Sequence, residues 1–336
     1  MLNEIWRFSW LRVTSLLGLL ASLVACAGAP PTVPATALTD PSLPQLRLRG
    51  HVFHAEAFGD ASLPVLIVLH GGPGADYRYL LGLAALADRY RVVFYDQLGS
   101  GLSERVPAAQ ITVQSFVDDL DAVVQHHAGQ RAVHLLGHSW GAMLATAYAG
   151  AHPQRVASLV LAEPGFLDAD SLAGLQGGAW PGWRRIFGMS RAWLAQWRVS
   201  ERDDPYARRD WLIQQMLVIA QPDEALCNGR LPELQGWRAG SPAFDATLGR
   251  MMDDAAFAQS LDFARGVEHL RSPVLFLRGA CNQAQGEAHQ RRMMARFPAS
   301  SRPQLLSIAD AGHFMFNDQP EASMAAVRGF LAAVPP

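Results

Sequence analysis

Short, unbroken apolar runs recur along the chain, separated by longer stretches. This spacing constrains the fold more than any other feature. Val65-Leu66-Ile67-Val68-Leu69, Val92-Val93-Phe94-Tyr95, Val133-His134-Leu135-Leu136 and Leu159-Val160-Leu161 lack the polar alternation of a strand with one wet face. They suit strands buried on both faces, as in parallel sheets. Thr112 to His127 and Trp140 to His152 are long enough to be the crossover helices that such strands require. The pattern resumes with Val274-Leu275-Phe276-Leu277 and Gln304 to Ile308, then closes with a helix from about Pro320. An α/β fold with a mostly parallel sheet follows. With half of its 336 residues hydrophobic, the chain has ample material for such a core.

Residues 166–265 interrupt the alternation. They hold no strand-like run but contain Trp180, Trp183, Trp193, Trp197, Trp211 and Trp237, six of the nine tryptophans. A helical cap inserted over the carboxyl edge of the sheet accounts for this, and ligands bind at that edge in open α/β sheets. The tryptophans either dock the cap on the core or line an apolar pocket. Residues 46–165 and 266–336 then form the core.

Charge narrows the chemistry. A net charge of −2 leaves no cation excess for binding nucleic acid. All 28 basic residues are Arg, so mechanisms that need a lysine amine are excluded. The three cysteines are far apart and no cluster has metal-ligand spacing, so neither metal nor cofactor is implied.

The amino end reads as an export signal. Arg7 and Arg12 precede the apolar stretch Val13 to Ala25. At roughly 20 Å as a helix, this stretch is too short to span a bilayer. Leu23-Val24-Ala25-Cys26 has the small residues before cysteine of a bacterial lipobox, with Cys26 as the acylated residue. An ordinary signal peptide is the alternative. Residues 1–25 would be removed, residues 26–45 would form a tether, and the protein would sit on a bacterial membrane, facing the periplasm or in the outer membrane. Cys227 and Cys281 then remain in an oxidising compartment, as a disulfide or as two buried thiols.

The chemistry centres on Gly137-His138-Ser139-Trp140-Gly141, placed between a strand-like run and a helix. G-x-S-x-G holds its serine on a tight turn above the sheet, which makes Ser139 the candidate nucleophile. His138 is expected to point away from it. His70-Gly71-Gly72-Pro73-Gly74 closes the first buried run, and Gly72 or Gly71, with Trp140, would supply backbone N–H groups for an oxyanion. His313, just after the last strand-like run, is the candidate base.

From about Gly50 to the carboxyl end the chain resembles α/β-hydrolases of the proline iminopeptidase-like group. The resemblance rests on His70 to Gly74, Asp96-Gln97-Leu98-Gly99-Ser100-Gly101-Leu102-Ser103 and Gly137 to Gly141. It implies the α/β-hydrolase fold with a helical cap, and acyl-enzyme hydrolysis of a small molecule or short peptide. Leu98 stands where the peptidases carry Arg. The family's acid position, three residues after Gly279, holds Asn282, and an amide cannot stabilise an imidazolium. Glu163, after the sixth strand, is the preferred acid; Asp310, and a weakened dyad or another acid, are the alternatives. An aminopeptidase would need cap carboxylates for the substrate amine, from among Glu201, Asp203, Asp204, Asp223, Glu224 and Glu233. A carboxylesterase or lactonase would need only an apolar pocket. A surface-anchored binding protein without turnover is the third possibility. No substrate-binding residue is assigned.

Overall fold

The computed structural model describes residues 30–175, 183–219, 221–229 and 236–334. Cys26, Trp180, Glu233 and the apolar amino-terminal stretch lie outside them.

Eight strands form one sheet: β1 (Gln45–Leu48), β2 (His51–Phe58), β3 (Val65–Leu69), β4 (Arg91–Tyr95), β5 (Val133–His138), β6 (Val156–Ala162), β7 (Val274–Gly279) and β8 (Gln304–Ile308). Their order is β1-β2-β4-β3-β5-β6-β7-β8. From β4 to β8 every pairing is parallel, whereas β1–β2 and β2–β4 are antiparallel. The expected parallel strands are all present. Every residue of β3, β5 and β7 is buried, because helices cover both faces. No strand was read before Val65. β1 and β2 form an edge hairpin that is largely half-buried, apart from Val52, Phe53 and His54, and its polar residues break the apolar pattern of the inner strands.

The longer helices are α1 (Val113–Ala128), α2 (Trp140–Ala151), α3 (Trp183–Ala195), α4 (Ala207–Ile219), α5 (Glu287–Met294) and α6 (Pro320–Ala332). Thr112 caps α1 by accepting from Ser115 N–H, while Ser115 Oγ accepts from Thr112 N–H. One apolar cluster packs α1 and α2 on one face of the sheet, and a second packs the turn of helix Arg78–Asp88 and α6 on the other. α3 and α4 belong to the insertion between β6 and β7, where the described residues hold no strand.

The amino-terminal stretch expected to be a tether is in part held on the fold. Ala37 N–H donates to Leu102 O at 2.7 Å, and Arg238 Nη1 donates to Pro34 O at 2.7 Å. Thr36 and Ala37 are buried. A proline in this segment has no N–H to donate, yet its carbonyl still accepts from the core, as Pro34 O does. Among the described residues no helix is long and apolar enough to cross a membrane.

Candidate active site

Ser139 sits between β5 and α2 with φ 54° and ψ −119°, a conformation that costs a residue with a Cβ. The flanking glycines permit it. A Cβ on Gly137 would strike the backbone of Gly141, and one on Gly141 would strike the carbonyls of Leu69 and His70. The elbow is therefore wedged between two strand ends. Trp140 is the first residue of α2, so no turn of its own helix can take its N–H. Its indole N–H donates to Gln97 Oε1 at 2.8 Å, and Gln97 Nε2 donates to His70 O at 3.1 Å. Gln97 thus braces the loop after β3 against the elbow.

That loop reaches the serine. A Cβ on Gly71 would lie 3.0 Å from Ser139 Cβ. Of the two candidate oxyanion donors, Gly71 is already engaged, because its N–H donates to Tyr79 Oη at 2.8 Å. Gly72 has no such bond among the described contacts.

His313 follows β8 and shares with Ser139 a cavity of about 80 Å³. Its Nδ1 lies 3.8 Å from Glu163 Oε2, too far for a hydrogen bond. Glu163 leaves the end of β6 with φ 50° and is fully buried. It accepts from Gly279 N–H at 2.5 Å through one oxygen and from Asn282 Nδ2 at 2.6 Å through the other. Asn282 in the family's acid position is therefore a hydrogen-bond donor to the carboxylate that faces His313. Asp310 is exposed and makes no side-chain hydrogen bond or ion pair with His313. Asp318 is the other carboxylate close to this loop, with Oδ2 accepting from Gly312 N–H at 2.8 Å.

Burial dominates the electrostatics. It pushes His313 down to about 4, against a weaker upward pull from Asp318. It pushes Glu163 up to about 8, and the Gly279 and Asn282 donors pull back towards the carboxylate. At rest both groups thus favour their neutral forms.

A family model of the alpha/beta hydrolase fold matches residues 64–320. The chain belongs to the α/β-hydrolase fold family. A proline iminopeptidase of Heyndrickxia coagulans is 44% identical over 100 residues, which are 30% of this chain and 34% of that protein. The chain thus spans about a third of the length of such relatives. A cis-3-alkyl-4-alkyloxetan-2-one decarboxylase of Xanthomonas campestris pv. campestris is 26% identical over 291 residues, covering 82% of this chain and 91% of that one. The crystal structure of a proline iminopeptidase-related protein from Thermus thermophilus aligns with a TM-score of 0.58 at 22% identity. The alignment covers 86% of this chain and 96% of that one, a likeness of fold.

Several residues of this α/β-hydrolase were not read from sequence. His138 does not point away from the site: its ring centroid is 4.9 Å from that of His313 and it lines the same cavity. Its Nε2 lies 2.7 Å from His313 O, and a carbonyl only accepts, so Nε2 carries the proton. Nδ1 then accepts from Tyr79 O–H at 2.7 Å, and Tyr79 accepts from Gly71 N–H. Burial holds His138 down at about 3, so the ring is neutral as this chain of bonds requires. The glycine loop, the elbow and the histidine loop are coupled through one directed relay. A histidine before the serine was the available signal, but its side-chain direction is a tertiary fact.

The cap also departs from expectation. No tryptophan lines the cavity among the described residues, because Trp183, Trp193 and Trp197 face outwards and Trp237 packs on Tyr77 and His54. Of the cap acids, Glu201 pairs with Arg208, Asp204 with Arg238 and Asp223 with Arg185, while Asp203 and Glu224 are exposed. None of these described acids lines the cavity. The carboxylate that does is Asp76, pushed up to about 7 by burial and then by Asp96. The segment that holds Asp223 and Glu224 also carries Cys227, whose sulfur is bonded to Cys281 with Cα atoms 5.0 Å apart. Ala225 O accepts from His313 N–H at 2.8 Å, which ties the same segment to the histidine loop.

Proposed function

We propose that the protein is a serine hydrolase that works through an acyl-enzyme. The observation that carries this reading is Ser139 at positive φ, wedged against the glycine loop and sharing one cavity with His313. Ser139 Oγ adds to a substrate carbonyl while its proton passes to the Nε2 of His313, whose Nδ1 faces Glu163. The N–H groups of Trp140 and Gly72 hold the oxyanion. Collapse of the tetrahedral adduct breaks the bond to the leaving group, which takes the proton from His313. Water repeats the sequence to free the acid.

The cavity favours an uncharged ester or lactone. An amino-terminal ammonium requires a carboxylate with open lone pairs. Asp76 accepts from the backbone N–H groups of Arg78, Trp237 and Arg238, leaving about one of four sites. The decarboxylase relative, whose name describes a lactone, aligns over most of the chain. The iminopeptidase relatives favour a second reading, an aminopeptidase selective for proline. Paired turnover of p-nitrophenyl butyrate and proline p-nitroanilide by the full-length protein separates the two. Ester turnover is expected to dominate, and proline-selective release would overturn the ester reading.

The pH profile supplies a second check. A base must be unprotonated to act. Burial holds His313 near 4 but Glu163 near 8, so the carboxylate, which must be ionised to stabilise the imidazolium, sets the acid limb. kcat/KM for the ester is expected to fall by about tenfold per pH unit below the Glu163 value of about 8. An acid limb near the ordinary histidine value of about 6.5 would mean that an ionised Glu163 holds the imidazolium in the free enzyme.

The reading extends to the compartment. The chain is an exported lipoprotein anchored through Cys26, and the bond between Cys227 and Cys281 suits an oxidising space.

A further inference from the structure

The outer face of α3 is built the wrong way round for a helix on a water-soluble cap. Positions 183, 186, 187, 190, 194 and 197 fall on one helical face. Such a stripe ordinarily packs inwards. Here Trp183, Ile186, Phe187, Leu194 and Trp197, with the neighbouring Trp193, are 44–73% exposed. Ala192 and Gln196 are buried instead, so the face turned to the protein is the less apolar one. The outward side chains form a continuous surface: the Trp193 and Trp197 rings are 6.4 Å apart, and Arg191 lies over the Phe187 ring at 5.8 Å. Across residues 183–198 there are four arginines and no carboxylate, in a chain whose net charge is −2; Arg185 is paired with Asp223, and Arg191 is exposed beside the Phe187 ring.

We infer that this face docks on an anionic lipid surface. Exposed tryptophan, large aliphatic groups and arginine on one helix match a bilayer interface, where rings sit at headgroup depth and guanidinium groups meet phosphates. The path of the chain agrees. Residues 31–39 and 199–207 face one another across a cavity of about 510 Å³, and Arg238 joins Pro34 O to Asp204. The amino-terminal segment therefore meets the fold beside the end of α3. With Cys26 acylated, a clause that rests on the anchor reading above, eight residues to Pro34 reach at most about 29 Å. Pro34, and with it the Asp204 end of the insertion, is held within that distance of the bilayer. α3 packs on α4, whose Gln214 and Leu217 line the cavity beside Ser139, so docking sets the site one helix from the lipid.

The test uses the full-length protein in vesicles of phosphatidylcholine and phosphatidylglycerol with brominated acyl chains, read by tryptophan quenching. The triple variant Trp183→Ser, Trp193→Ser and Trp197→Ser is expected to lose about half of the emission that bromine quenches in the parent. Pure phosphatidylcholine should give a similar loss in the parent. Equal or greater quenched emission in the variant overturns the proposal. So does a variant with unchanged quenching that turns a dimer into a monomer in sedimentation, because the face would then be a contact between copies. Unchanged circular dichroism and ester turnover show that the variant is folded. Cys26→Ser tests the anchor separately: release from membranes with retained flotation on anionic vesicles supports both contacts. Unchanged membrane fractionation with intact docking removes only the anchor.

Discussion

Replacing Ser139 by alanine is expected to lower kcat by about a millionfold, down to what the oxyanion donors and binding alone provide. The substitution is clean because alanine keeps the Cβ. The strain at φ 54° and the contact with Gly71 are both retained, and only the hydroxyl is lost. The melting temperature should therefore hold while turnover and fluorophosphonate labelling vanish. A loss smaller than about tenfold would show that Ser139 is not the nucleophile, whatever the elbow resembles.

Replacing Glu163 by glutamine is expected to cut kcat by about 10⁴. Glutamine preserves size and can still accept from Gly279 N–H, while its amide nitrogen, turned to Asn282 Nδ2, gives up that one hydrogen bond. What disappears is the negative charge beside the imidazolium. Asn282 allows a control that a merely structural role would fail. Its amide lies 2.6 Å from Glu163 Oε2, so Asn282→Asp in the Glu163→Gln background returns a carboxylate to nearly the same place. Partial rescue of kcat without change in KM identifies the charge as the active element. Asn282→Ala alone removes one hydrogen bond to a charged group and should cost only about 10- to 100-fold. A loss as deep as that of Glu163→Gln would mean that Asn282 does more than hold the carboxylate.

These two residues differ in how legible they were. Ser139 could be read from five consecutive residues, because a strand, a glycine-flanked turn and a helix are all specified within a short window. The inner strands were equally plain, since burial on both faces leaves an unbroken apolar run such as Val65 to Leu69. The edge hairpin β1–β2 was missed because its half-buried face carries polar residues that blur the pattern. The outward turn of α3 was hidden for the opposite reason. Its stripe has the periodicity of a core-facing helix, and periodicity gives the existence of a face without its direction.

By itself, then, the sequence determined the layered α/β core, the serine elbow and the glycine loop, because each is dictated by local periodicity or by steric room at a glycine. Only the tertiary structure decided which carboxylate meets His313. Glu163 and Asn282 are 119 residues apart and are brought together by the parallel register of β6 and β7, with Ala162 beside Leu277. It also decided that His138 and Tyr79 link the glycine loop to the histidine loop, and that Trp183, Trp193 and Trp197 turn outwards. The physical reason is common to all three. A side chain's partner across the sheet or cap depends on strand register and on which face of a helix finds a neighbour, and neither is encoded in any local window.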